Sequence, residues 1–284
     1  AASFMIAAEE LLLSEGVGLF YDARVSNVVR DEDKITSVIL EAKSGQVKVM
    51  GDAFIDATGD ADICYLAGEK TIDDSENRRT GWYFSYDDKD LKLHGLTDPL
   101  YGNIPEGSRL YSGTKLEDIS QHCIDGRKMI LDHVLKSRAQ GNKDIYPLLI
   151  PTFHGLRMTR RLAGTFEFSE DAHEGIWFED AIGMIGNWKR RGPRYSIPYR
   201  AIKGVKNSNL FAVGRCCSAD KSGWDLTRVI PTCAVTGEAA GIAAAMLALD
   251  GNEPEISKIQ DSLKEDGVLL KPELFSTYDK IAAR

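Results

Sequence analysis

Apolar and polar positions alternate along the chain in a way that predicts helices and strands in mixed succession. Residues 3–15 place Phe4, Ile6, Ala7, Leu11 and Leu12 at helical spacing, with an acidic outer face, and Gly16 closes the run. Residues 17–31 and 34–43 read as two strands around the charged turn Asp31-Glu32-Asp33-Lys34. Gln46–Val49 adds a third strand after Ser44-Gly45, giving a hairpin or three-stranded meander. Gly16-Val17-Gly18 follows a helix and lacks a third glycine, so it is not a dinucleotide loop. Ala53–Ala57 reads as a short buried strand. It runs into the tight turn Thr58-Gly59-Asp60 and a short helix, 63–67, closed by Gly68.

The middle is less periodic. Residues 82–86 are aromatic and strand-like, and 87–113, rich in Asp, Gly and Pro, read as loops. Residues 116–140 predict an amphipathic helix with Ile119, Cys123, Ile130, Leu131, Val134 and Leu135 in its stripe. His122 and His133 lie on it as surface or partly buried side chains. From Tyr146, strands are expected, interrupted at Pro151.

The strongest pattern is 209–249. A strand, Leu210–Val213, stops at Gly214. A polar loop follows, then a long helix from about residue 229 with Pro231 in its first turn, where the missing N–H costs nothing. Its body is rich in small residues: Ala234, Gly237, Ala239, Ala240, Gly241, Ala243, Ala244 and Ala245. Two interior glycines cost about 1 kcal/mol each against alanine, and close approach to a sheet or flat ligand offsets that. The helix start presents free N–H groups and a positive dipole end. This suits an anionic or electron-rich ligand, and a tightly packed βα unit equally. Residues 256–284 read as a terminal helix and tail.

Composition narrows the class. At 284 residues two lobes are expected, since domains run to about 100–200 residues. A net charge of −8 argues against a nucleic-acid partner. No run of 18 apolar residues is free of polar interruption, so no membrane span is expected, and Glu9 and Glu10 stand where a signal peptide would be apolar. The five cysteines include no CxxC, which excludes a disulfide framework and a zinc site and points to a cytoplasmic protein. The vicinal Cys216-Cys217 reads as two buried small side chains, with a redox role as the alternative. Asp60 and Asp62 lack the further acids of a metal site; Asp60 caps the next helix or contacts a ligand. The chain opens inside a helix without an initiator Met, so a fragment of a longer protein is expected.

IDATGDAD at 55–62, followed by a helix and Gly68, resembles a signature of FAD-dependent oxidoreductases of the glutathione-reductase superfamily, more narrowly the branch related to fumarate reductase-like flavoproteins. Residues 155–164, GLRMTRRLAG, are similar to that branch's R-x-(T/S)-R-R segment, with Asp171 in place of its following acid. SIPYR at 196–200, NLFAVGR at 209–215 and the stretch from Arg228 to Gly241 are similar to its C-terminal block. The resemblance implies an α/β fold. A partial, Rossmann-like FAD-binding lobe would comprise 1–81 and 201–284, and an inserted substrate or cap lobe 82–200. It implies FAD as cofactor, held by Val25, Ala57, Thr58, Gly59, Asp60, Gly214, Arg215, Arg228, Pro231, Thr232 and Cys233. It implies two-electron (hydride) transfer between flavin and a small anionic substrate. The family's GxGxxG turn is not among these residues, so the isolated chain is expected to hold FAD poorly and to be inactive alone. The alternative is a non-catalytic flavoprotein-like module that binds a partner subunit or an anionic metabolite. An oligomer stays open.

Two basic clusters bear on the substrate. Lys189, Arg190, Arg191 and Arg194 sit in a Gly/Pro-rich loop and read as a solvated face. Arg157, Arg160 and Arg161 lie in an apolar stretch. They either grip the carboxylate or phosphate of an anionic substrate or pair internally with Glu167, Asp171 or Asp180. Arg161, Tyr199 and Arg200, with His154, are the candidates for the substrate side.

Overall fold

The structure, a computed structural model, describes residues 2–87, 90–98, 105–152 and 155–271. His154 lies outside the described residues. The chain begins with α1 (Ala2–Ser14), ended by Gly16 at φ 74°. Its apolar positions are exposed: Phe4 and Ile6 are each 67% accessible. An amphipathic pattern specifies a helix and a face, and leaves open what covers that face.

β1 (Arg24–Asp31), β2 (Lys34–Ala42) and β3 (Gly45–Met50) form the expected antiparallel meander, with β2 central. β1 begins at Arg24; residues 17–23 are irregular, with Asp22 at positive φ. Then come β4 (Phe54–Asp56), α2 (Asp62–Leu66) and β5 (Thr71–Asp73), followed by β6 (Trp82–Asp87) and β7 (Asp90–Gly95). α3 (Leu116–Ala139), β8 (Tyr146–Leu149), β9 (Arg160–Leu162) and the short α4 (Glu170–His173) lead to the β10 (Ala181–Gly186) and β11 (Arg194–Pro198) hairpin. β12 (Leu210–Ala212), α5 (Lys221–Thr227), α6 (Ile230–Asp250) and α7 (Ile256–Glu265) complete the α/β chain.

The contact that organises the molecule is the parallel pairing of β4 with β12, Leu210 opposite Phe54 and Ala212 opposite Asp56. It joins segments about 155 positions apart and brings both strand ends together. Side chains alternate across this pair, as strand geometry requires. Phe211 enters a core with Ala239, Ala240, Ala243 and Leu247 of α6, Ile182 and Ile197 of the hairpin, and Ile259 and Leu263 of α7. Leu210 and Ala212 face a second core with Val28, Ile35, Val38 and Cys64. Asn209, buried beside β12, bonds the backbone of Ile35 and Asp52 and so locks the meander to this pair.

A third core, Tyr83, Ile130, Val134 and Ile145, sits between α3 and β6. The hydrophobic cores therefore group the chain differently from a boundary at residue 200: the 181–198 hairpin shares its core with α6. Two local expectations are corrected. The 87–113 segment contains β7, which pairs with β6 from Trp82–Gly95 to Asp87–Asp90. A ladder supplied by a neighbour overrides weak local propensity. On α3 the buried positions are His122, Gly126, Ile130 and Val134, while Leu131 and Leu135 are exposed. His122 is fully buried, its Nε2 bonded to the Arg78 carbonyl at 3.1 Å, and burial lowers its pKa.

α6 is long and apolar enough, by composition, to cross a bilayer. Here it packs against β4, β10, β12 and α7. Its alanines permit that approach from several sides.

Candidate active site

The β4 and β12 ends carry two turns. Asp56, fully buried, holds the first: Oδ1 accepts the Thr58 N–H (3.1 Å) and hydroxyl (2.7 Å), and Oδ2 accepts the Cys64 N–H (2.9 Å). The Cys216 sulfur accepts the N–H groups of Gly59 (3.1 Å) and Ala61 (3.3 Å). Arg215 donates to the Gly59 carbonyl and to Asp60 Oδ1 at 2.8 Å, and Thr159 donates to the same carboxylate oxygen. Gly59, Asp60 and Arg215 thus close a polar knot, and Ala57 and Thr58 remain exposed beside it. Asp60 does not cap α2, whose N-cap is Ala61 in the left-handed region with no side-chain bond.

Cys216 and Cys217 are free, buried thiols. Burial raises the pKa of both, that of Cys217 to about 12. Both stay protonated at neutral pH, and a thiol is a poor nucleophile. Native protein at pH 8 is therefore expected to leave Cys64, Cys216 and Cys217 unlabelled by an aromatic disulfide reagent over the time in which unfolded protein reacts fully. Fast labelling of Cys216 would restore the redox alternative.

The second turn holds Gly214 at φ 58°, its N–H bonded to Thr236 Oγ1 at 3.0 Å. A Cβ on Gly214 would stand 3.0 Å from the Cys233 sulfur. No side chain caps α6. Among the described residues the Ile230 and Thr232 N–H groups carry no bond, and the buried Thr232 hydroxyl has no partner; Pro231 between them is exposed and has no N–H.

Between α5 and α6, Arg228 grips Asp225 through Nε (2.9 Å) and Nη2 (2.5 Å), with its guanidinium 4.9 Å from the Trp224 ring centre. Lys189 stands 3.6 Å from the other Asp225 oxygen and is paired with Glu170, which also accepts from Asn187 at 2.7 Å. Trp188 donates to the Asp225 carbonyl. The Lys189 side chain is a quarter exposed and ties the loop to Glu170 and Asp225, while Lys189 as a whole residue and Arg190, Arg191 and Arg194 are exposed, as a solvated face is. The sequence signal for this network was slight: Asp225 and Arg228 at i,i+3, with no cue to Lys189 or Glu170.

The three arginines of the first cluster separate. Arg160 pairs with Asp62 (3.3 Å) and Asp73 (3.2 Å) and lies 4.0 Å from the Tyr65 ring centre. Arg161 pairs with Glu167 at 3.5 Å. Arg157 has no hydrogen bond or ion pair among the described residues, and its Nε is buried. Its pKa is lowered by burial and by the positive charge of Arg228, against the pull of Asp225. It lines a 70 Å³ recess with Arg78, Met158, Lys221 and Trp224. Met158, Lys221 and Trp224 also line a cleft of 630 Å³ that continues to Glu170, Asp171 and Asp220. Gly223 lets α5 form that wall, because a Cβ there would stand 2.4 Å from the Phe168 carbonyl oxygen.

Other candidates lie elsewhere. Val25 lines a separate cleft of 400 Å³ with Asp62, Tyr65 and Arg160. Arg161 reaches a small recess shared with Met158 and Trp224. Tyr199 is buried, its hydroxyl without a partner among the described residues, near Lys203 and Phe211. Arg200 is paired with Asp180 at 2.7 Å over Phe166. Neither Tyr199 nor Arg200 lines the Arg157 cleft.

The sequence profile of a family described as FAD dependent oxidoreductase matches residues 2–82 and 72–263. The chain belongs to this family. FAD is therefore its cofactor. Two solved structures are similar to this FAD dependent oxidoreductase. One is CabE, an aromatic hydroxylase from angucycline biosynthesis, at 12% identity and a TM-score of 0.38, over 90% of this chain and 52% of CabE. The other is BexE, studied for oxidation during BE-7585A biosynthesis, at 12% identity and a TM-score of 0.30, over 86% of this chain and 49% of BexE. The chain spans about half the length of each. No curated protein matches it.

The residues present fit FAD. Its carbonyl and phosphate oxygens accept hydrogen bonds, and the chain offers donors: the uncapped first turn of α6 and the orphaned Thr232 hydroxyl. The exposed Ala57–Thr58 backbone at the end of a parallel strand is placed as ligand sites in open α/β sheets are.

Proposed function

We propose that this oxidoreductase exchanges two electrons between FAD and a small organic anion, with Arg157 as the anion's anchor. One observation carries this. Arg228 pairs with Asp225, and Lys189 with Asp225 and Glu170, while the half-buried Arg157 beside Arg228 has no hydrogen bond or ion pair among the described residues. A buried charge is costly unless paired, so an incoming carboxylate is stabilised there.

Bound FAD supplies the two-electron redox chemistry. The protein supplies binding and charge. Arg157 takes the carboxylate in bidentate fashion, as guanidinium geometry favours. Trp224 and Met158 keep water from one side of the cleft. Val25, Ala57 to Asp60, Gly214, Arg215, Arg228 and Pro231 to Cys233 form the proposed cofactor face. There the first turn of α6 stabilises negative charge. Arg161 remains the proposed cation on the substrate side, while Tyr199 and Arg200 support the surrounding fold.

The test is Arg157→Gln, with carboxylate binding followed by titration calorimetry. Affinity is expected to fall ten- to hundredfold, about 1.4–2.8 kcal/mol. Among anions that bind, the substrate is the one that bleaches the visible band of added FAD without oxygen. Unchanged affinity in Arg157→Gln would overturn the assignment.

A further inference from the structure

The recess at Arg157 and the larger cleft share the walls Met158, Lys221 and Trp224 and differ in the charge they present. At the Arg157 end, Arg78 adds a second cation, its Nη1 buried without a partner among the described residues, and with Lys221 the cations outnumber the two carboxylates there, Asp74 and Glu76. Lys221 there is paired with Glu76. The middle is walled by Trp224 and Met158. The far end presents Glu170, Asp171, Asp220 and Asp225. Glu170 and Asp225 are compensated by Lys189 and Arg228. Asp171 and Asp220 have no cationic partner among the described residues. Asp171 is exposed in the first turn of α4. Asp220 accepts only neutral donors, Ser222 Oγ at 2.7 Å and the Gly223 N–H at 2.7 Å. His173 does not neutralise it, because its Nδ1 accepts the Ser169 N–H.

We infer that the substrate is an amino carboxylate, its carboxylate at Arg157 and its ammonium group toward Asp171 and Asp220. The inference rests on the anion assignment above and goes beyond it by naming the second group. A dicarboxylate of similar length would set its second charge against two carboxylates, and like charges repel. An ammonium group in the same place is attracted. A monocarboxylate gains nothing at that end. The apolar stretch over Trp224 and Met158 suits a methylene or aryl spacer.

The test uses the 284-residue chain and ligands of four to eight carbons: ω-amino carboxylates, α,ω-dicarboxylates and monocarboxylates. Binding is followed through the indole N–H signals of Trp188 and Trp224. The best amino carboxylate is expected to bind at least tenfold tighter than the dicarboxylate of its length. The double variant Asp171→Asn, Asp220→Asn keeps a capping acceptor on α5 and should cut that ratio to about threefold or less. Arg157→Gln should weaken every carboxylate. If Arg157→Gln weakens them all but the dicarboxylate binds as well as the amino carboxylate, the amine assignment falls and the anion site stands. The same holds if the double variant leaves the ratio intact. If Arg157→Gln changes no affinity, both fall.

Discussion

Asp225→Ala is expected to lower the unfolding free energy by about 3 kcal/mol and, at the same time, to strengthen carboxylate binding several-fold. Asp225 is 3% exposed and is the shared partner of Arg228 and Lys189. Removing one member of a buried charge network leaves the others uncompensated, typically at about 3–5 kcal/mol; the lower end applies because Lys189 keeps Glu170 and is partly hydrated. The binding effect has the opposite sign. Losing the carboxylate removes a negative charge that acts on Arg157, so the local field on an incoming anion becomes more positive. Asp225→Asn should show the same binding gain with a smaller stability loss, because the amide oxygen still accepts from Arg228. Denaturant unfolding and carboxylate titration on the same samples test both halves. Reduced stability with weakened anion binding would show that Arg228 is held by Asp225 for the anion's sake.

Glu69→Ala is expected to cost about 4 kcal/mol. Glu69 is buried just after α2, and its carboxylate collects the N–H groups of Val205, Lys206 and Asn207 at 2.8–3.0 Å, plus the Asn207 amide at 2.8 Å. These four donors belong to the turn that feeds β12. An unsatisfied buried donor costs about 1–3 kcal/mol, and partial rehydration at the exposed Val205 trims the sum. Glu69→Gln keeps an acceptor and should lose about half as much. A loss under 1 kcal/mol for Glu69→Ala would mean that the turn is held by the β4–β12 pairing alone.

The sequence determined the parts whose signals are local. Helical periodicity announced α3, Pro231 and a run of small residues announced α6, Gly16 and Gly68 marked helix ends, and a short apolar run followed by Thr58-Gly59-Asp60 announced a strand and its turn. Several such motifs in order were enough for the family and its cofactor. Tertiary structure decided what depends on distant partners. β7 exists because β6 offers it a ladder, and the buried face of α3 is turned toward His122 by the sheet it covers. Most decisively, three neighbouring arginines differ only in what the fold brings to them. Asp62, Asp73 and Glu167 satisfy Arg160 and Arg161, while Arg157 faces Arg228 and a cleft. A side chain's charge is written in its own residue. Whether that charge is compensated depends on groups tens of positions away, and only folding sets those distances.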